Sequence, residues 1–178
     1  YKAAMQTASY NIMLRDFSLL QFGWFDTNDV RYAFLPNPSI RFEISGEIVK
    51  EAWSLVDAGA ASVEEALMDI SSVESENGAP LLRYENSEKQ RKELRHPCSH
   101  FHIGFHSENR WPLARVLTPF AFTLLVSKFY YSEHWLKDCS ETAFGQFEAT
   151  LIEERRDGCR LLPPEMFSQL ERVSFHIA

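Results

Sequence analysis

The sequence contains none of the short motifs that announce common nucleotide or metal enzymes: no Gly-x-Gly-x-x-Gly, no P-loop, no His-Glu-x-x-His and no Gly-x-Ser-x-Gly. Cysteine is scarce. Cys98, Cys139 and Cys159 form an odd, widely spaced set without a Cys-x-x-Cys pair, which argues against a disulfide framework and for free thiols in a reducing cytoplasm. No run approaches the ~20 apolar residues that cross a bilayer. The longest candidate, Pro119 to Tyr131, is interrupted by Thr123, Ser127 and Lys128, so it reads as a core helix and no membrane partner is expected. Positive charge is in deficit as well. Eighteen Lys and Arg against 25 Asp and Glu leave a net charge of -7, so the surface as a whole repels phosphate backbones and any nucleic-acid contact must be local. There is no internal repeat, low-complexity tract, linker or secretory signal. The chain opens on Tyr1 rather than Met, so a preceding segment is expected to be missing.

What is present is enough for one core. With 178 residues, 45% of them hydrophobic and 13% aromatic, residues 1–178 are expected to form a single globular domain. The first third reads as sheet. Tyr10 to Phe25 suits two strands joined near Arg15-Asp16, followed by strands at Arg31–Leu35 and Ile40–Ile44 around Pro36-Asn37-Pro38. The period then turns helical. Ser45 can cap a helix with Ile48, Ala52, Leu55 and Val56 on one face. Ser62-Val63-Glu64-Glu65 is a capping box opening a second helix with Val63, Ala66, Leu67 and Ile70 on its stripe. Strands resume at Leu81–Asn86 and Phe101–His106. Thr118-Pro119 starts a buried helix through about Trp135, whose aromatics are expected in the core. Phe147–Glu154, a turn at Asp157-Gly158, a helix after Pro163-Pro164 carrying Met166, Phe167 and Leu170, and a last strand from Val173 to Ile177 complete the reading. This order predicts an α+β fold, with a largely antiparallel sheet and helices packed on one face.

The informative segment is His96-Pro97-Cys98-Ser99-His100-Phe101-His102-Ile103-Gly104-Phe105-His106, which holds four of the six histidines. On a strand, Phe101, Ile103 and Phe105 face the core while His100, His102 and His106 line a cleft or solvent. Three readings stay open. A divalent metal could be held by His100 and His102, about 6.6 Å apart along a strand, with His106, His96 or His176 as third ligand. Without a metal, His100 and His102 could act as an acid–base pair on a phosphodiester, supported by His96, because an imidazole titrates near neutrality. Arg83 and Arg110 would then hold phosphate, aided by Lys89, Arg91, Lys92, Arg95 and Ser99, with Tyr84 a further hydrogen-bond donor. A 2′-hydroxyl nucleophile would make the substrate RNA. In the third reading the histidines only pack, and the chain is a non-catalytic subunit that binds another protein through its sheet. Arg83 and Glu85 share a strand face, which suits an ion pair or a carboxylate supporting a histidine.

Two boxes are similar in part. The His-x-His pair with His106 four positions on resembles the first metal box of cupins, with His where that family places Glu. It also resembles the His-x-His-x-His box of histidine-triad nucleotide hydrolases, with Gly104 where their nucleophile stands. Over most of its length the chain resembles a bacterial family known only as a domain of unknown function. The resemblance runs through Asn11 to Phe22, Leu82-Arg83-Tyr84-Glu85, His96 to Gly104, Arg110-Trp111-Pro112 and Leu117 to Tyr131. The Arg-Tyr-acidic strand followed by His-x-His is also similar to some small toxins of bacterial toxin–antitoxin loci. That likeness implies RNA cleavage or phage defence.

Overall fold

The structure is a computed structural model that describes residues 6–7, 9–26, 28–37, 46–66, 82–103, 109–139 and 145–175. It is an α+β fold with a six-stranded antiparallel sheet in the order β1-β2-β3-β4-β5-β6. The strands are β1 (Ile12–Met13), β2 (Leu19–Asp26), β3 (Asp29–Leu35), β4 (Leu82–Asn86), β5 (Ser99–Ile103) and β6 (Arg110–Pro112). Two short strands, β7 (Arg115–Val116) and β8 (Arg160–Leu161), pair separately. Cα packing divides the chain into two compact units, Tyr1–Gln21 with Ala33–Leu82, and Phe22–Tyr32 with Arg83–Ala178.

In the first unit β1 and β2 pair antiparallel, Ile12 opposite Leu20. The Asp16 carboxylate holds the turn between them by accepting from Ser18 N and Oγ at 2.9 and 3.0 Å, so the expected hairpin near Arg15-Asp16 is present. Helix α1 (Gly46–Asp57) lays Ala52 against Phe17 and Ala66, and Trp53 stacks on Phe17 with ring centroids 5.0 Å apart. The Ser62 box forms as its spacing predicts: Ser62 N donates to Glu65 Oε2 and Glu65 N to Ser62 Oγ. The expected strand at 40–44, the cap at Ser45 and the rest of the second helix beyond Ala66 lie outside the described residues.

In the second unit α2 (Pro119–Tyr130) is capped as expected, Thr118 Oγ1 accepting from Ala121 N at 3.0 Å. It buries Ala121, Phe122, Leu124 and Val126. Phe122 packs edge-on against Phe22 and Tyr32, and Phe101 stands 6.4 Å from it. These residues define the helix-covered face of the sheet. The helix does not run on to Trp135. It breaks at Tyr131, and α3 (Ser132–Asp138) follows. Thr123 and Ser127 hydroxyls donate back to the carbonyls of Pro119 and Thr123, a bond that bends helices. Only part of the aromatic run is core: Phe122 and Trp135 are buried, whereas Phe120 and Phe129 are more than half exposed.

Helix α4 (Gln146–Glu153) joins Leu151 to Leu124 and Trp135 in a second cluster. Where a turn was expected at Asp157-Gly158, a π-helical turn spans Glu154–Gly158. The last element also differs. Val173 to Phe175 belong to helix α5 (Gln169–Phe175), not to a strand, because Ser168 and Glu171 cap each other's backbone N–H groups and fix the first turn as helix. Among the described residues no helix is long and apolar enough to cross a membrane.

Candidate functional site

Alternation along β5 sends Phe101 to the helix-covered face and His100 and His102 to the other. The sequence suggested that this second face lines a cleft or solvent. Instead, both histidine side chains are buried, although the same face also carries Arg31 and Arg83, whose side chains are 50% and 31% exposed. His100 is 0% exposed and His102 5%, against 39% for Ile103.

His100 is anchored by its Nδ1, 2.8 Å from the carbonyl oxygen of Pro97. A carbonyl only accepts, so His100 Nδ1 carries the hydrogen and the neutral ring turns a bare Nε2 lone pair outward. That Nε2 faces His102 Nε2 at 2.9 Å. Glu85 on the neighbouring strand β4 completes the group, its Oε2 4.0 Å from His102 Nε2. The two carboxylate oxygens have divided roles. Oε1 lies 2.9 Å from both Arg31 Nε of β3 and Arg83 Nε of β4, which leaves Oε2 on the histidine side. One ligand atom from each of Glu85, His100 and His102 falls within 4.8 Å of the others.

His96 and Arg110 border this group. Residues 92–96 close on themselves through paired backbone hydrogen bonds between Lys92 and His96, and that turn sets the His96 ring edge-on to His100 with centroids 4.9 Å apart. Arg110 of β6 is the register partner of His102, and directly opposed residues of antiparallel strands share a face. The buried nitrogens here that make no hydrogen bond among the described residues include Arg83 Nε, His96 Nδ1 and His102 Nδ1, so Arg83 meets Glu85 as a charge rather than as a hydrogen-bond donor.

Electrostatics hold the imidazoles uncharged. Burial above all, then the neighbouring His102 and His96, pushes His100 down to about 3. Burial followed by the charge of Arg83 lowers His102, and Glu85 opposes that shift. His96 is lowered by burial and then by Arg110. At pH 7 the site therefore offers lone pairs rather than imidazolium protons.

Not every candidate enters this group. Ser99 is fully buried and donates to the Arg115 carbonyl at 2.7 Å, while Tyr84 Oη bridges Ser99 Oγ and the Leu117 N–H. Both belong to the framework on the Phe101 face. Arg91 is committed to the buried Glu171 carboxylate at 3.1 Å, and Lys89 pairs with Asp26. Lys92 and Arg95 are exposed on the turn before β5. His106 and His176 lie outside the described residues. Two participants were not in the sequence-derived set of site residues. Glu85 had a signal, its shared face with Arg83; Arg31 had none, because only strand pairing brings β3 beside β4.

A family model described as "Uncharacterized conserved protein (DUF2290)" matches residues 1–177. The chain belongs to the DUF2290 family. No curated protein and no solved structure matches it. The DUF2290 description carries no reaction, so the chemistry of this family member rests on the side chains above. Their arrangement can bind an anion through Arg83 and Arg110, accept a proton, or hold a cation through three converging donor atoms.

Proposed function

We propose that this protein cleaves phosphodiester bonds, with RNA as its substrate class, on the β4–β5–β6 face that carries Glu85, His100 and His102. The observation behind this reading is the pairing of Arg110 with His102 across β5 and β6, with Arg83 on β4 close enough for its charge to lower His102. In a chain of net charge -7, Arg31 and Arg83 flank the Glu85 carboxylate and Arg110 stands opposite His102, so three guanidinium groups share this face with one carboxylate. A local cationic face of this kind can hold a phosphate and stabilise charge that develops on it in the transition state.

The neutral imidazoles limit the mechanism. Neither His100 nor His102 begins as the acid at pH 7, so the site's contribution is the lone pair. It can take the proton of a 2′-hydroxyl and return it from the resulting imidazolium to the leaving 5′-oxygen, or it can hold a Lewis acid that activates the nucleophile. Cleavage of a mixed RNA pool, with and without a chelator, tests the reading against His102→Ala of matched thermal stability. Cleavage lost in the variant is the expected result, and intact RNA in every lane overturns it.

A second reading draws on Trp111, 50% exposed on the edge strand β6. A half-exposed Trp at a sheet edge suits a protein partner that adds to the sheet, and under that reading the chain is a non-catalytic subunit. RNA intact in all lanes, with a partner retained by the wild type and lost by Trp111→Ala, would favour it.

A further inference from the structure

We infer that Glu85 Oε2, His100 Nε2 and His102 Nε2 are the ligands of one divalent transition-metal ion. This deepens the phosphodiester reading by naming its cofactor, and it rests on that reading only for the reaction the ion would serve. The ligand set differs from the one the sequence suggested: its third member is Glu85, supplied by the adjacent strand β4.

The argument starts from the tautomers. Pro97 O fixes the hydrogen of His100 on Nδ1 and leaves Nε2 bare. The Nδ1–H···O=C contact is also the outer support by which proteins orient metal-ligating imidazoles. His102 then has two choices. If its Nε2 donates to His100, its own bare Nδ1 is left buried without a hydrogen-bond partner among the described residues, an arrangement that costs about 1–3 kcal/mol. If its Nε2 is bare as well, two lone pairs face each other across 2.9 Å. A cation bound to both removes that repulsion and makes use of each lone pair.

The carboxylate supports the same conclusion. A nearly buried Glu85 would be expected to direct both oxygens at the arginines if charge neutralisation were its whole role. Both arginine contacts instead fall on Oε1, and Oε2 remains on the side of the histidines. Arg31 and Arg83 thereby hold Oε1 by charge and leave Oε2 as the carboxylate oxygen nearest His102. All three side chains are buried and stand on the adjacent strands β4 and β5, so little ordering remains to be done on binding.

The donor set also selects the ion. Two imidazoles and one carboxylate suit zinc or another late first-row divalent ion, whereas calcium and magnesium favour oxygen-only shells. Three protein ligands leave one tetrahedral position for water or substrate, as in catalytic rather than structural zinc sites. Bound there, the ion would supply a nucleophilic hydroxide at neutral pH and polarise a phosphoryl oxygen. The arginines would hold the remaining phosphate charge.

The test is equilibrium dialysis of the full chain against zinc at pH 7.5, with protein-bound metal quantified. One zinc per chain is expected. Glu85→Gln and His102→Ala should each weaken binding by at least ~100-fold, more than loss of an outer-sphere partner, while His134→Ala, an exposed histidine of α3, leaves it unchanged. Glu85→Gln is nearly isosteric, and its fold is checked by circular dichroism. If either variant fails to fold, X-ray absorption of the zinc-loaded wild type decides, with two imidazoles and no sulfur in the shell expected. No uptake by folded protein, unchanged affinity in the folded variants, or sulfur ligation overturns the site. Zinc binding without RNA cleavage would sink the phosphodiester reading and leave the metal centre standing. Cleavage by a chelated protein that takes up no zinc would do the reverse.

Discussion

His100 Nε2 and His102 Nε2 stand 2.9 Å apart beneath a surface that leaves the first ring wholly buried. Two neutral rings tolerate that separation, but two imidazolium ions would not. The low protonation point of His100, about 3 against 6.5 for an ordinary histidine, has burial as its main cause and the charge of His102 as the next.

Stability should therefore fall on acidification. Below pH 6.5 the unfolded chain protonates His100 while the folded chain does not, so each step down in pH favours unfolding until the folded protonation point near 3 is reached. Between pH 7 and pH 4.5 this group should remove about 2 kcal/mol, at roughly 1.4 kcal/mol per unit below the unfolded value and discounted for residual solvation. Urea titrations of chelated protein at pH 7, 5.5 and 4.5 measure it, beside His100→Asn, whose profile should be visibly shallower. Equal slopes would show that His100 is not the group responsible.

Glu171 should matter for folding without mattering for metal. Its buried carboxylate accepts from Arg91 Nη2, Ser168 N and, at 3.4 Å, Leu94 N. Glu171→Ala strands a largely buried guanidinium and uncaps α5, and a broken buried pair of this kind costs about 3–5 kcal/mol. Urea denaturation should show that loss, and Glu171→Gln, which keeps an acceptor, should lose less. Zinc affinity of the folded fraction should stay at the wild-type value.

How much of this could be read from the sequence depends on whether the deciding contact is local. The hairpin around Asp16, the Ser62 box and the Thr118 cap each depend on residues within a few positions, and all three are present. The alternation that separates Phe101 from His102 is equally local. Strand pairing is not. Glu85 and Arg110 reach the histidines only because β4 and β6 flank β5, and Arg31 arrives from more than 50 positions upstream. Burial of His100 and His102 depends on what packs around them, so alternation alone could not separate shielded rings from rings that line an open cleft. Val173 to Phe175 looked like strand because Val and Phe favour one, yet Ser168 and Glu171 stand at the same Ser-x-x-Glu spacing as Ser62 and Glu65. The cap outweighed the side-chain preference.

The thiols should separate by accessibility. Cys98 and Cys159 are each 1% exposed, whereas Cys139 is only partly covered. Burial, reinforced by Glu88, also raises the Cys98 thiol to about 11, so little of the reactive thiolate forms near neutrality. Native protein treated with a thiol reagent at pH 8 should titrate a single cysteine quickly, mapped by mass spectrometry to Cys139, with all three reacting in urea. Rapid labelling of Cys98 in the native state would contradict the packing of Leu162 and Phe167 around it.

Ser99 offers the sharpest separation between framework and chemistry, because it sits between the histidines in sequence but on the opposite sheet face. Its hydroxyl and that of Tyr84 form a buried chain from the Arg115 carbonyl to the Leu117 N–H, linking β4, β5 and the residues that lead into α2. Tyr84→Phe leaves the Leu117 N–H without its acceptor and removes one hydrogen bond from Ser99, a loss of about 1–3 kcal/mol. Ser99→Ala leaves the Arg115 carbonyl without its hydroxyl donor and should cost a similar amount. The two losses should not add, since each substitution already breaks the shared bond, and the double variant should fall about 1 kcal/mol short of the sum. Urea midpoints of the two single variants and the double variant measure this coupling. Zinc affinity, and any RNA cleavage per folded molecule, should be unchanged in all three. A variant at Ser99 that keeps its stability but loses cleavage would instead place its hydroxyl on the substrate.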